Sequence, residues 1–120
     1  MLNITQQFMI DIDTLYNKIN KRYEEEEEKD DDYFIVFLCQ EIGNKYIKDN
    51  DGDIFKTIET LKEVYENTDK NTILLKYISA LCIYVIKLRV GKQIKDDDVI
   101  NDSLQNMNLF IKLIDNFVDE

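Results

Sequence analysis

The sequence predicts an all-α protein, and three observations carry that prediction. Proline is absent, glycine occurs only at positions 43, 52 and 91, and apolar residues recur every three or four positions along most of the 120 residues. Proline and glycine are the residues that most often interrupt helices, so their scarcity leaves few places for one to end. A chain this short fits one domain, and residues 1–120 are read as a single helical unit. Its 44% hydrophobic content, rich in Ile and Leu, is enough for an ordinary core.

In the first segment, Ile4, Phe8, Ile12, Leu15, Ile19 and Tyr23 fall on one face of a helix spanning roughly 3 to 23. Glu24 to Asp32 follows, with eight acids and one Lys. Self-repulsion and the lack of apolar anchors predict a solvated acidic loop at about 24–32. The run Tyr33 to Leu38 is short enough for a strand, but Ile42, Tyr46 and Ile47 continue it at helical spacing, which predicts a helix over 33 to 48. Asp49-Asn50-Asp51-Gly52 is turn chemistry, and Asp51 or Asp53 caps a third helix over about 53 to 67, with Ile54, Ile58, Leu61 and Val64 or Tyr65 inward.

Residues 72 to 90 are different in kind. Ile73 to Leu75, Tyr77, Ile78, Ala80 to Ile86, Leu88 and Val90 surround the whole circumference, so this is expected to be a central apolar helix covered on nearly all sides. Gly91 stands where a left-handed stop is expected, and Asp96-Asp97-Asp98 suits the positive end of a following helix. On that last helix Ile100, Leu104, Met107, Ile111, Ile114 and Val118 are the expected core stripe. Leu109, Phe110, Leu113 and Phe117 widen its apolar arc beyond what one packed face requires. Either two neighbours flank the helix, or a partner or second copy covers the surplus.

Charge and composition narrow the function. The formal net charge is -10, of which the acidic run supplies -7, and such a field opposes binding to nucleic acid or an anionic membrane surface. Without histidine the chain lacks the usual base near neutral pH and every Ser/His or Cys/His pair, so no enzyme activity and no cofactor are expected. The longest uncharged part of the apolar helix, Tyr77 to Ile86, is far shorter than the ~20 residues that cross a bilayer, so no membrane span is expected. The first residues do not read as a signal peptide, and Cys39 and Cys82 lie within apolar runs, which suits buried thiols in a reducing, intracellular setting.

Two acidic motifs resist a metal reading. Aligning Asp49, Asp51, Gly52 and Ile54 with a calcium-binding loop puts Ile47 and Ile58 where its first and last ligands belong, so no calcium site is expected. Glu59, Glu63 and Glu66 lie on a polar helix face with no histidine to complete a bundle metal site.

The segment Ile78-Ser79-Ala80-Leu81-Cys82-Ile83-Tyr84-Val85, with Asp102-Ser103-Leu104-Gln105 and the run from Leu109 to Asp119, resembles the end of the poxvirus Bcl-2-like proteins. In the branch that antagonises NF-κB signalling, an ISA…LCAYA-like run precedes a last helix with an NSL…LF…ML…YVD-like pattern. The likeness covers about 78 to 119; upstream, only the order and length of the helices agree. It implies a Bcl-2-like helical bundle of five or six helices that acts in the host cell cytoplasm by binding host proteins.

Within that family some members hold a BH3 helix in a groove to inhibit apoptosis, and others block inflammatory signalling. Here the groove walls would be helices 33 to 48 and 53 to 67. The stretch ahead of the apolar helix reads Asn67-Thr68-Asp69-Lys70-Asn71, without the Asn-Trp-Gly-Arg signature of cellular Bcl-2 proteins, and no apolar anchor follows Val118. Both departures favour an NF-κB antagonist over a mitochondrial inhibitor of apoptosis. Several relatives form homodimers through their first and last helices, which makes Met9, Ile12, Tyr16, Tyr23, Leu109, Leu113 and Phe117 the candidate partner or dimer face. The rival reading from another class is a helical structural or assembly protein.

Overall fold

The computed structural model describes residues 2–24 and 31–118, apart from the side chains of Arg22, Tyr23 and Asp31. Five α-helices and one 3-10 turn make up the regular structure of these residues, and no strand occurs among them. The helices are α1 (Ile4–Glu24), α2 (Asp31–Asp49), α3 (Ile54–Glu66), α4 (Ile73–Ile94) and α5 (Asp97–Val118). The acidic loop expected at about 24–32 is corrected at both ends. Glu24 closes α1, Asp31 and Asp32 open α2, and 25–30 lie outside the described residues. Asp32, in the first turn, lies near the positive end of the backbone dipole, which favours this start of α2.

Local chemistry accounts for the boundaries. Asn3 Oδ1 accepts from the Gln6 amide at 2.8 Å while Gln6 Oε1 accepts from the Asn3 amide at 3.0 Å, a reciprocal cap on α1. Between α2 and α3 the chain turns through Asp51 and Gly52, at φ 57° and 85°, and the Asp53 carboxylate caps α3 by accepting from the Lys56 amide at 3.0 Å. Asp69 caps the 3-10 turn Lys70–Thr72, its Oδ1 accepting from the Asn71 and Thr72 amides. Asp96 Oδ1 does the same for α5, accepting from Asp98 and Val99.

Gly91 corrects the sequence reading. It is a buried position inside α4, and the left-handed residue that ends the helix is Lys95, at φ 57°. The reason for glycine is proximity. A Cβ there would lie 2.9 Å from Val99 Cγ1 and 3.3 Å from the Ile100 amide nitrogen, so the bare backbone lets the first turn of α5 close on α4.

α4 packs against α1, α2, α3 and α5, and its buried residues include Ile78 to Ile83, Val85 and Ile86. The fully buried side chains around it include Phe8 of α1, Cys39 and Ile42 of α2, Leu61 and Val64 of α3, and Ser103 of α5. The stripe on α5 is a second correction. Leu104 is 42% and Val118 67% exposed, whereas Ser103, Met107 and Ile114 are buried and Phe110 stacks on Tyr84 of α4 at 6.0 Å. The helix is turned so that a small serine, not Leu104, meets α4, and this allows the two axes to approach. Cys39 and Cys82 are buried free thiols. No helix among the described residues is long and apolar enough to cross a membrane.

Candidate interaction surfaces

The predicted partner face is divided between two helices. On α1, Met9 and Tyr16 are 48% and 43% exposed, while Ile12 is half-buried against the core. The Tyr16 ring meets Phe34 of α2 edge-on at 5.5 Å, so one side of it is already occupied. Tyr23 lies in the last turn of α1, and its side chain is outside the described residues. On α5, Leu109 and Phe117 are exposed and Leu113 is half-buried. α1 packs on α2, α3 and α4 and α5 packs along α4, and α1 with α5 is not one of the closely packed pairs. The exposed residues therefore belong to helices joined through the rest of the bundle.

Two grooves run between helices. One, of about 400 Å³, is floored by α4 and bordered by α2 and α5. Val36, Gly43 and Ile47 line it from α2, Val85 and Leu88 from α4, and Met107 from α5. Gly43 keeps α2 close there, since a Cβ would sit 3.3 Å from Ile86 Cγ1. Its polar lining includes Gln40, Asn44, Arg89 and Lys92, with Arg89 Nη1 donating to Asn44 Oδ1 at 2.9 Å. The second groove, about 280 Å³, is lined by Ile54, Phe55 and Ile58 of α3, Lys87 and Val90 of α4, and Val99 of α5. Phe55 there is 72% exposed. It stands one position off the Ile54, Ile58, Leu61 stripe, and that offset is the sequence signal that marks it as outward-facing.

A third cleft, about 300 Å³, opens where α1 crosses the end of α2 and includes Gln7, Asp11, Lys45, Tyr46 and Asp49. Asp11 is only 5% exposed although it is a carboxylate. Tyr46 Oη donates to its Oδ2 at 2.8 Å, Gln7 Nε2 donates to its Oδ1 at 3.1 Å, and Lys45 Nζ lies 3.6 Å from Oδ1. Lys45 also donates to Asp49 at 2.7 Å. That bond to Asp49, reinforced by the Asp11 charge, raises the Lys45 ammonium above the usual lysine value despite opposing desolvation. Burial first, and then the bond to Asp11, pushes the Tyr46 phenol well above the usual tyrosine range. Both groups hold their protons near neutral pH, and both are committed within the cluster, the Tyr46 hydroxyl to Asp11 and the Lys45 ammonium to Asp49 and Asp11. Sequence reading missed this cluster because Tyr46 reads as part of an apolar stripe, and nothing along the chain links it to Asp11.

Burial and the neighbouring Cys39 thiol push the Cys82 thiol up, away from the thiolate that reacts. No group of three or more His, Cys, Asp or Glu among the described residues could hold a metal ion. Comparison with known proteins finds no family model that matches the chain, no curated protein similar to it in sequence, and no solved structure similar to it in fold.

Proposed function

We propose that this chain is a viral antagonist of host innate immune signalling in the NF-κB pathway, acting without catalysis in the host cell cytoplasm by covering a surface of a host protein. A Bcl-2-like architecture is part of the same proposal. The observation that carries it is that the two segments resembling the poxvirus Bcl-2-like family fall on one antiparallel pair, α4 and α5, and that α4 touches every other helix of the bundle. Further support comes from the apolar grooves beside α4 and from the exposed Met9, Tyr16, Leu109 and Phe117, which offer surface for protein contacts and for a homodimer.

An NF-κB reporter in stimulated cells expressing the chain, run beside titration of the purified protein with BH3 peptides, tests this. The expected result is a suppressed reporter and no BH3 binding in the micromolar range. An unaffected reporter overturns the reading, and micromolar BH3 binding in its place assigns the chain to apoptosis inhibition. Sedimentation at concentrations on the order of 10 μM tests the homodimer, which a strict monomer removes.

A further inference from the structure

The charge of this chain is segregated along its sequence. Residues 70–95 contain six of the 15 cations and no Asp or Glu, within a molecule of net charge -10. Two of those cations, Arg89 and Lys92, border the groove over α4, and acids do not neutralise them. Arg89 makes its side-chain bond to the uncharged amide oxygen of Asn44, and Lys92 forms no salt bridge among the described residues. That bond uses one of the five guanidinium donors and holds the group beside the groove edge.

The groove is also elongated. Its α2 wall runs from Val36 to Ile47, three turns of helix or about 16 Å. That length accommodates anchors spaced i, i+4 and i+7 on a helix laid into it, which span about 10 Å. Arg89 and Lys92 stand three residues apart, on neighbouring turns of α4, so two carboxylates one turn apart on the ligand would meet both.

We propose that this groove docks an acidic amphipathic helix of a partner protein, its apolar face on Val36, Ile47 and Leu88 and its carboxylates on Arg89 and Lys92. The proposal rests on reading the chain as a protein-binding module, but not on which pathway it serves. The face also differs from the channel between α2 and α3 expected for a BH3 helix.

The test uses two stapled helical peptides about four turns long, sharing one leucine face, with either Glu or Lys beside it. Their binding to the full chain is read by fluorescence anisotropy. The Glu peptide is expected to bind at least about tenfold more tightly than the Lys peptide. Arg89→Glu with Lys92→Glu should reverse that preference. Lys56→Glu with Lys62→Glu makes the same change in net charge at exposed positions of α3 and should leave the preference in place.

The inference is overturned if neither peptide saturates, if the groove variant keeps the Glu preference, or if the α3 variant alters it equally. It also falls if sedimentation shows a dimer that the Glu peptide dissociates, since a second copy then fills the groove. The NF-κB reporter separates this result from the functional reading. A groove variant that loses peptide binding but still suppresses the reporter leaves the docking site intact and moves the signalling contact to another face.

Discussion

The seam between α4 and α5 and the seam between α1 and α2 are built on different principles. α4 and α5 meet through small and apolar groups. Gly91 lies under Val99, Ser103 is fully buried, and Phe110 lies against Tyr77 and Tyr84. α1 and α2 meet through aromatic edges and a buried polar knot, with Phe8 edge-on to Tyr46 at 6.0 Å and Asp11 accepting from the Tyr46 hydroxyl. The first seam depends on how closely two backbones approach, and the second on one carboxylate keeping its donors. Dispersion and burial in the first seam depend on the size of the groups at the contact, whereas the second is lost when a single hydrogen-bonding partner is removed.

The largest effect is expected where α4 meets the rest of the core. Leu81 is fully buried, and Leu81→Ala should cost about 2–5 kcal/mol, read as a fall in the denaturation midpoint at unchanged slope. A loss under about 1 kcal/mol would mean that α4 is not tightly enclosed at that level.

Next comes the polar knot. Asp11→Ala leaves the buried Tyr46 hydroxyl without its acceptor and should cost about 1–3 kcal/mol, while Tyr46→Phe should cost less because Asp11 retains Gln7 and Lys45. A double-mutant cycle between the two should show coupling, and additive losses would refute a shared bond. The knot also sets an alkaline limit. Below about pH 10 tyrosine is neutral in both states; above it the unfolded chain loses a proton that folded Tyr46 keeps, because the folded value is raised. Stability should therefore fall as pH rises above about 10. The raised Lys45 contributes with the same sign. Tyr46→Phe should flatten that slope in alkaline denaturation curves.

These two seams also mark what could be read along the chain. Apolar spacing was sufficient for five helices and for the enclosure of Leu81 and Cys82, and turn chemistry narrowed the cap of α3 to Asp51 or Asp53, of which the structure uses Asp53, because each depends on residues only a few positions apart. The run from Tyr33 to Leu38, ambiguous alone, resolves as helix once Ile42 and Tyr46 extend its period. Asp11 was not legible, since its burial depends on Tyr46, 35 residues later. Gly91 was legible as special but not for its actual reason, which is a neighbour on another helix rather than its own φ. The groove cations were visible as letters, but that Arg89 leans on Asn44 appears only once α2 lies beside α4.

Gly91→Ala measures the closeness of the α4–α5 corner. Overpacking against Val99 and Ile100 costs about 1–3 kcal/mol, and alanine's better helix propensity returns up to about 1 kcal/mol. A net loss is expected, and Val99→Ala in the same chain should recover part of it. A gain in stability would mean that the helices can part at that corner without cost.

The smallest effect separates the two seams most cleanly. Ser103 is fully buried, and its Oγ has no hydrogen-bond partner among the described residues. A hydroxyl in that position contributes desolvation cost without a compensating bond, so removing it should help or be neutral, whereas removing the Tyr46 hydroxyl should hurt. Ser103→Ala is therefore expected to change stability by between zero and about 1 kcal/mol in the stabilising direction, with little change in volume. Ser103→Val should be destabilising, because the serine is there for its size where α5 lies against α4. Chemical denaturation of both variants decides it. A destabilised Ser103→Ala would show that the hydroxyl has a partner after all, and that the α4–α5 seam has a polar element like that of α1 and α2.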